Sequence, residues 1–529
     1  MLKRFVFFIF ILSTCYSLDY SHWSSAASNL SVAGQNNNSP QIVINPTTGK
    51  AHCVWINTTI NNIQYSSSLD GGNIWLPGSQ LVSDNTAKNV EPPKIAIDTL
   101  SDNVVCIWGG IYPDNAVPPV SQYVQRAYSA NAGETWSIAN WNLSQGEYYQ
   151  LVINPQTPSD SAAYVSQYTN PGSESLNHHY SQDGGRTYNT TSLFGTNVTE
   201  IQMVTALTNQ TVLFIGLLSP PNPTSIEAYP SNDGGNSYLG SNPVYNGNPV
   251  IHPSLAINEI LATDAVCVFS TFDGVNWIIT SAYAPVITGV WTPSGNSPSP
   301  AFQDADNPKV AVNSSTGDVI CVWQNDTTGR IQSAYSTNNG NNWTAASNDL
   351  SPAGDICEVP QLVINSTTNE AICVWLNTTT TTIQAAYSSD GGITWIRAPN
   401  DLSDTNASDP QLAINTTTGE AICAWTRFNG STYDIQGAYS PVIPFVSVSQ
   451  ETKKLLFQED IVNVLTWNRV AQARYYTIYR DTALSNMIYQ GSDLTYADQG
   501  IKADVTYTYY VTWTNASGVE SSPTILSVP

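Results

Sequence analysis

An all-β protein is predicted by three observations on the sequence. A unit of about fifty residues recurs along most of the 529-residue chain. Each copy reads as short alternating strands separated by Asn/Thr/Gly turns, and after Phe445 the repeat stops and shorter alternating strands replace it. The clearest copy is PQLVINSTTNEAICVWLNTTTTTIQAAYSSDGGITW, from Pro360 to Trp395. Its first strand follows the proline (Leu362, Ile364), its second holds Cys373 and Trp375, its third runs from Ile383 to Tyr387, and its fourth starts at Trp395. NSTTNE, NPTTGK after Ile44 and NTTTGE after Ile414 are tight polar turns between the first two strands.

Copies begin near Pro40, Pro93, Tyr149, Ile201, Pro253, Pro308, Pro360 and Pro410, about eight in all, the third and fourth lacking the Cys and Trp markers. Evenly spaced four-stranded units in this number predict a β-propeller, in which each sheet packs face to face on its neighbours. The last copy reaches Tyr439 and breaks into Pro441 and Pro444 without a fourth strand. WSSAASNLSVAGQNNNSPQ from Trp23 matches WTAASNDLSPAGDICEVPQ from Trp343. The amino-terminal segment is therefore expected to supply the missing strand and close the ring, removing exposed sheet edges.

The domain reading is a signal peptide at 1–17, a propeller at 18–440, a linker at 441–445 and a β-sandwich at 446–529. Lys3 and Arg4 precede the apolar run Phe5 to Leu12, too short to span a bilayer, and Ser17 fits a cleavage site. A second reading makes Leu12-Ser13-Thr14-Cys15 a lipoprotein box with Cys15 carrying lipid, against which Thr14 stands where a smaller residue is usual. A secreted, periplasmic or cell-surface location is expected on either reading. The formal charge of −23 makes nucleic acid and anionic lipid poor partners. Cys53, Cys106, Cys267, Cys321, Cys373 and Cys423 share one context (CVW, CIW, CVF, CVW, CVW, CAW). A spacing that follows the repeat predicts buried thiols rather than disulfides, and Cys357 stands outside the pattern.

A second motif recurs between the third and fourth strands: SLDGGNIW, SANAGETW, SQDGGRTY, SNDGGNSY, STNNGNNW and SSDGGITW. A short Asp or Asn side chain accepts bonds from nearby amides, Gly takes the left-handed conformation, and the aromatic residue anchors the next strand. On these six copies the chain from Trp23 to about Ser440 resembles the Asp-box (BNR) repeat proteins of the sialidase-like superfamily. The resemblance implies a structural role for Asp70, Asn131, Asp183, Asp233, Asn338 and Asp390, on the rim away from the ligand face. The fifth unit, near Trp291, has lost the motif. From Val446 to Pro529 the chain resembles a fibronectin type III domain, with Trp467 at the core-tryptophan position and Tyr507 at the corner-tyrosine position.

Sialidase activity does not carry over by resemblance. It needs an arginine cluster, a tyrosine nucleophile paired with a glutamate, and an acid/base aspartate. The propeller holds only Arg126, Arg186, Arg330, Arg397 and Arg427, and no early unit opens on an Arg-Ile-Pro motif. The residues before each first strand read Asn38, Glu91, Glu147, Glu200, His252, Asp306, Glu358 and Asp409. Strand alternation puts them on the face opposite the Asp-box turns, where a ring of carboxylates is expected to disfavour anionic sugars. It would suit a cation, a basic segment or sugar hydroxyls; alternatively the acidic residues merely shape turns before proline. Glu91, Glu147, Asp306, Glu358 and Asp409 are the ligand-face candidates, joined by Tyr112 and Tyr168 from the longer Pro-rich loops of the same face. The five histidines lack metal-ligand spacing, so no metal and no cofactor are expected, and no phosphate loop or nucleophile elbow occurs. Sequons such as Asn57, Asn142, Asn189, Asn377 and Asn415 matter only in a glycosylating host. The reading is an exported, non-catalytic, monomeric propeller that binds a glycan or protein. A divergent sialidase-type glycosidase and a structural surface or matrix protein are its alternatives.

Overall fold

A computed structural model describes Trp23 and residues 27–528 apart from 77, 79, 84–89, 112–121, 139–143, 146–147, 155–160, 169–174, 195–197, 207–209, 219–222, 261–263, 285–288, 441–445, 455–458, 468–472, 481–483, 503–504, 516–519 and 521–523. The described residues contain strands and turns but no helix, and they divide into two compact units, residues 21–441 and residues 442–529.

In the first unit eight antiparallel sheets follow one another among the described residues. Their first strands are Asn37–Ile44, Lys94–Ile97, Tyr148–Asn154, Val198–Thr205, Val250–Ile257, Ala305–Val312, Cys357–Asn365 and Ala407–Ile414, and they number the sheets here. Each first strand touches those of the sheets before and after it, and the eighth touches the first, so the contacts form a closed cycle. This is a β-propeller arrangement.

The cores lie between sheets rather than within them. The second strand Ala51–Asn57 is buried at every residue. One of its faces packs Cys53 and Trp55 with Ile422 and Ala424 of the eighth sheet, and the other packs Val54 and Ile56 with Cys106 and Trp108 of the second. The same alternation places Trp323 and Trp375 in the next inter-sheet layers. The recurrent cysteines sit inside these layers as free thiols, and burial pushes their pKa values up. Cys357 is also free and buried, at the start of the seventh sheet's first strand.

The eighth sheet draws its fourth strand from the amino-terminal segment. Ser28–Asn29 pairs antiparallel with Tyr433–Ser440, placing Ser28 opposite Gly437. The Leu30 amide donates to the Ile435 carbonyl at 2.8 Å, and the Ile435 amide donates to Ser31 Oγ at 2.9 Å. Leu30 is 1% exposed and packs with Trp55 and Ile435. A β-carbon at Gly78 would lie 2.1 Å from the Leu30 carbonyl oxygen, so the seam admits only glycine there.

The recurrent Ser-x-Asp/Asn turns dock one sheet on the preceding one. In each, a serine hydroxyl holds the Asp or Asn and the amide of the second small residue, as with Ser68 to Asp70 at 2.8 Å and Gly72 N–H to Ser68 at 2.9 Å. The carboxylate or amide oxygen accepts from the amide four residues on: Asp70 from Ile74, Asn131 from Thr135, Asp183 from Thr187, Asp233 from Ser237, Asn338 from Asn342 and Asp390 from Thr394. Against the burial that pushes them up, these bonds hold the Asp183, Asp233 and Asp390 carboxyls below their ordinary range. Gly185 has φ +85°, and a β-carbon there would meet Val105 of the second sheet at 2.5 Å. The turn thus requires glycine twice over, for conformation and for close approach.

The second unit pairs a three-stranded sheet, in the order Val446–Lys454, Glu459–Trp467, Thr495–Ile501, with a four-stranded sheet. The latter runs Met487–Gly491, Ala473–Tyr479, Tyr507–Asn515, Thr524–Val528. Trp467, Tyr476, Ile478, Tyr509 and Val511 form its core. Tyr507 Oη accepts the Lys502 amide at 3.1 Å, and buried Tyr509 donates to Asp498, which also pairs with Arg480.

Two outcomes follow from the seam. Leu30→Ala removes a buried side chain that joins the first and eighth sheets and is expected to destabilise the first unit by about 2–5 kcal/mol, read by urea unfolding. Glu420 is 4% exposed, and burial, reinforced by the Asp70 charge, raises its carboxyl from 4.5 to about 7. A raised acid stabilises fully below its unfolded value and loses that contribution as pH rises to about 7. Glu420→Gln is expected to melt later than the parent at pH 8, with that advantage shrinking or reversing at pH 5, measured by calorimetry.

Candidate functional site

A cavity of about 660 Å³ opens where the first strands of sheets two to six begin, lined by Glu91, Pro92, Lys94, Tyr149, Gln150, Glu200, Ile201, Gln202, His252, Pro253, Asn307 and Lys309. The antiparallel registers put it at the strand ends opposite the Ser-x-Asp/Asn turns: in the first sheet Asn37 faces Asn57, which faces Asn62, whereas Ser68 lies beside Ala51 at the other end.

Its shape comes from a repeated bulge. The pairing between first and second strands slips between residues 38 and 41, 199 and 202, 251 and 254, 306 and 309, 358 and 361, and 408 and 411. The residue before the proline, or before Ile201, holds a positive φ: Ser39 54°, Glu200 48°, His252 51°, Asn307 52°, Val359 54° and Asp409 53°. Proline has no N–H to give the ladder, which explains why the slip falls there in five of these strands. A bulge re-aims neighbouring side chains.

The acidic series of the sequence therefore resolves into two adjacent positions, a correction to the single ring expected. Asn38, Asp306 and Glu358 lie one residue before the positive-φ residue, while Glu200, His252 and Asp409 occupy it. Neighbouring sheets consequently bond across the mouth. The His252 amide donates to Glu200 Oε2 at 2.7 Å, and His252 Nδ1 lies 2.8 Å from Asp306 Oδ1. Asp306 also accepts from Ser270 Oγ and the Asn307 amide. The bond to Asp306 raises the His252 pKa; against burial, His252 and Ser270 hold the Asp306 carboxyl below its ordinary value.

Of the sequence candidates, Glu91 lines the cavity and Asp306 flanks it through His252. Glu358 and Asp409 are not among its lining residues. Glu147 and Tyr112 lie outside the described residues, as does the side chain of Tyr168, whose backbone ends the strand Ser161–Tyr168. The Glu91 carboxylate lies over Gly109, where a β-carbon would come within 2.6 Å of it.

Three wall residues escaped the sequence reading. Tyr149 stands where six copies have proline; its hydroxyl donates to the Pro92 carbonyl and accepts the Gly109 amide, both at 2.7 Å, and burial pushes its pKa up. Lys309 follows the bulge proline Pro308, Lys94 follows Pro93 at the matching register of its strand, and burial lowers the pKa of each. They make the cavity mixed in charge rather than acidic alone, which corrects the expected carboxylate ring. No arginine lines the cavity. Arg126 is instead a packing residue, donating to the Arg186 carbonyl and lying 4.6 Å over the Tyr188 ring. His178 and His179 are buried on opposite faces of their strand, His178 against the Tyr238 ring and His179 sensing Arg126. Among the described residues no cluster of His, Cys, Asp or Glu has the grouping to hold a metal ion.

No family model matches this chain, and no curated protein matches its sequence. Among solved structures it is similar to an ulvan lyase described as a new family of polysaccharide lyase, with 10% identity over 78% of this chain and 95% of that one, TM-score 0.44. A Hadza microbial sialidase gives 13% identity over 76% of this chain and 65% of that one, TM-score 0.34. A Niastella koreensis GH74 enzyme gives 12% identity over 95% of this chain and 92% of that one, TM-score 0.26. At these values the likeness assigns no activity to the chain.

The His252–Asp306 contact yields a direct check. In Asp306→Asn the imidazole loses a charged partner, so His252 is expected to titrate at lower pH than in the parent, followed through its ring proton by NMR.

Proposed function

We propose that the chain is an exported, non-catalytic saccharide-binding protein, an eight-bladed propeller closed by its own amino-terminal strand and followed by a fibronectin type III-like module. The observation that carries this reading is the mouth cavity itself. Its volume falls within the range of ligand sites, and its wall presents amide, carboxylate, ammonium and imidazole groups suited to a polyhydroxylated ligand. Sheets of three and four strands, a buried tryptophan and a tyrosine bonded to backbone just upstream support the fibronectin-like reading of the second unit.

Two features of the cavity favour binding over hydrolysis. A tyrosine nucleophile needs a free hydroxyl that loses its proton readily, yet Tyr149 is bonded to two backbone groups and its pKa moves the wrong way. A sialidase also grips its substrate carboxylate with arginines, and none lines this wall. One observation favours the alternative, a divergent glycosidase: Glu91 and Glu200 share the cavity and supply a carboxylate pair.

A glycan array with purified protein is expected to give saccharide binding that Glu200→Gln weakens. A panel of fluorogenic glycosides, sialosides included, is expected to show no turnover above buffer. Turnover abolished by Glu91→Gln or Glu200→Gln would establish the glycosidase instead, and an array without any binding would leave a structural role.

A further inference from the structure

We propose that the cavity selects saccharides bearing an acidic substituent, a carboxylate or a sulfate ester, which Lys94 binds while Lys309, from the sixth sheet, lines the same cavity. This rests on the reading of the cavity as a saccharide site and names the ligand class it takes.

The first argument is the repeat. At the same register of the first strand the other units carry Gln41, Gln150, Gln202, Ser254, Gln361 and Gln411, all neutral hydrogen-bonding side chains. Only Lys94 and Lys309 depart from this, in a chain with 17 lysines and arginines in all, and both line the same cavity. A surface charge scattered without purpose has no reason to fall twice on one inward-facing position.

The second argument is the difference between the two ammonium groups. Lys309 Nζ donates to Asn307 Oδ1 at 3.0 Å and feels the carboxylates of Asp306 and Glu200. Lys94 has no ion-pair or hydrogen-bond partner among the described residues, and burial alone drives its pKa down. Lys309 also feels the charge of Lys94, so the two repel. Holding an unpaired cation on a partly buried wall is unfavourable, and the glutamine used elsewhere in the ring would avoid the penalty. A ligand anion placed at Lys94 relieves both the desolvation and the mutual repulsion. Gln150 and Gln202, with Glu91 and Glu200, remain to bond hydroxyls. The combination describes a sugar with neutral hydroxyls and an isolated acidic group rather than a dense polyanion, which the two glutamates would repel.

The test is calorimetric titration of the whole chain with four probes: an oligogalacturonate, its fully methyl-esterified form, a sulfated galactan oligosaccharide and its desulfated form. The expected result is at least tenfold tighter binding of an acidic probe than of its neutral counterpart, and the probe that shows it identifies carboxylate or sulfate. Lys94→Gln, which installs the residue of the other units, is expected to bring that ratio close to one and raise the melting temperature. Lys309→Gln is expected to reduce the ratio less. Equal binding of acidic and neutral probes, or a Lys94→Gln protein that keeps the preference or melts earlier, would overturn the inference while leaving saccharide binding intact. Failure of all four probes to bind would overturn the saccharide reading together with it.

Discussion

Every part of the first unit depends on one constraint: a sheet whose second strand is buried on both faces cannot stand alone. Ala51–Asn57 and its counterparts carry apolar side chains on successive residues rather than alternate ones, so each sheet must be covered twice. Stacking satisfies that need for all sheets except the first and last of an open array, and only a cycle satisfies it for these two as well. The strand Ser28–Asn29 is therefore more than an edge cover. It carries Leu30 into the layer between the first and eighth sheets and completes the core on which both depend.

Closure also determines what the mouth is made of. The first strands meet around the centre, and their bulges force the residues at the strand start out of the ladder. Side chains there belong to consecutive sheets, so a bond such as His252 to Asp306 joins two sheets as well as two residues. Rim turns and mouth thus divide the labour along each strand. At one end the recurrent serines and glycines seat those sheets that carry the turn on the one before; at the other, the chain's polar chemistry is free to vary.

Much of this was legible in the sequence because the repeat exposes it. The Ser-x-Asp/Asn turns, the inter-sheet cysteines and the match between the segments at Trp23 and Trp343 each recur in a fixed context, so local chemistry and spacing pointed the same way. The bulge was not legible, since a one-residue slip leaves no mark on composition, and Glu200 and Asp306 therefore read as equivalent when they are not. Lys94 was overlooked for a related reason: its meaning lies in the six neutral residues at the same register, and that comparison needs the register first. The sequons mislead in another way. Asn57, Asn377 and Asn415 are fully buried, and their side-chain oxygens accept amides two and three residues on, so Asn-x-Thr here is the chemistry of a turn.

The overall charge of −23 and the two lysines of the mouth act on different length scales, and they need not conflict. Exposed carboxylates set a repulsive field that falls away beyond about 8 Å at physiological salt, whereas an ammonium on a partly buried wall is screened less. An acidic ligand thus meets repulsion mainly on approach, where salt weakens it, and attraction mainly on contact, where salt does not. That field then slows capture of an anion without cancelling its binding once seated. Charge read as a sum over the chain describes only the first of these effects; the second belongs to where two particular side chains stand in the ring.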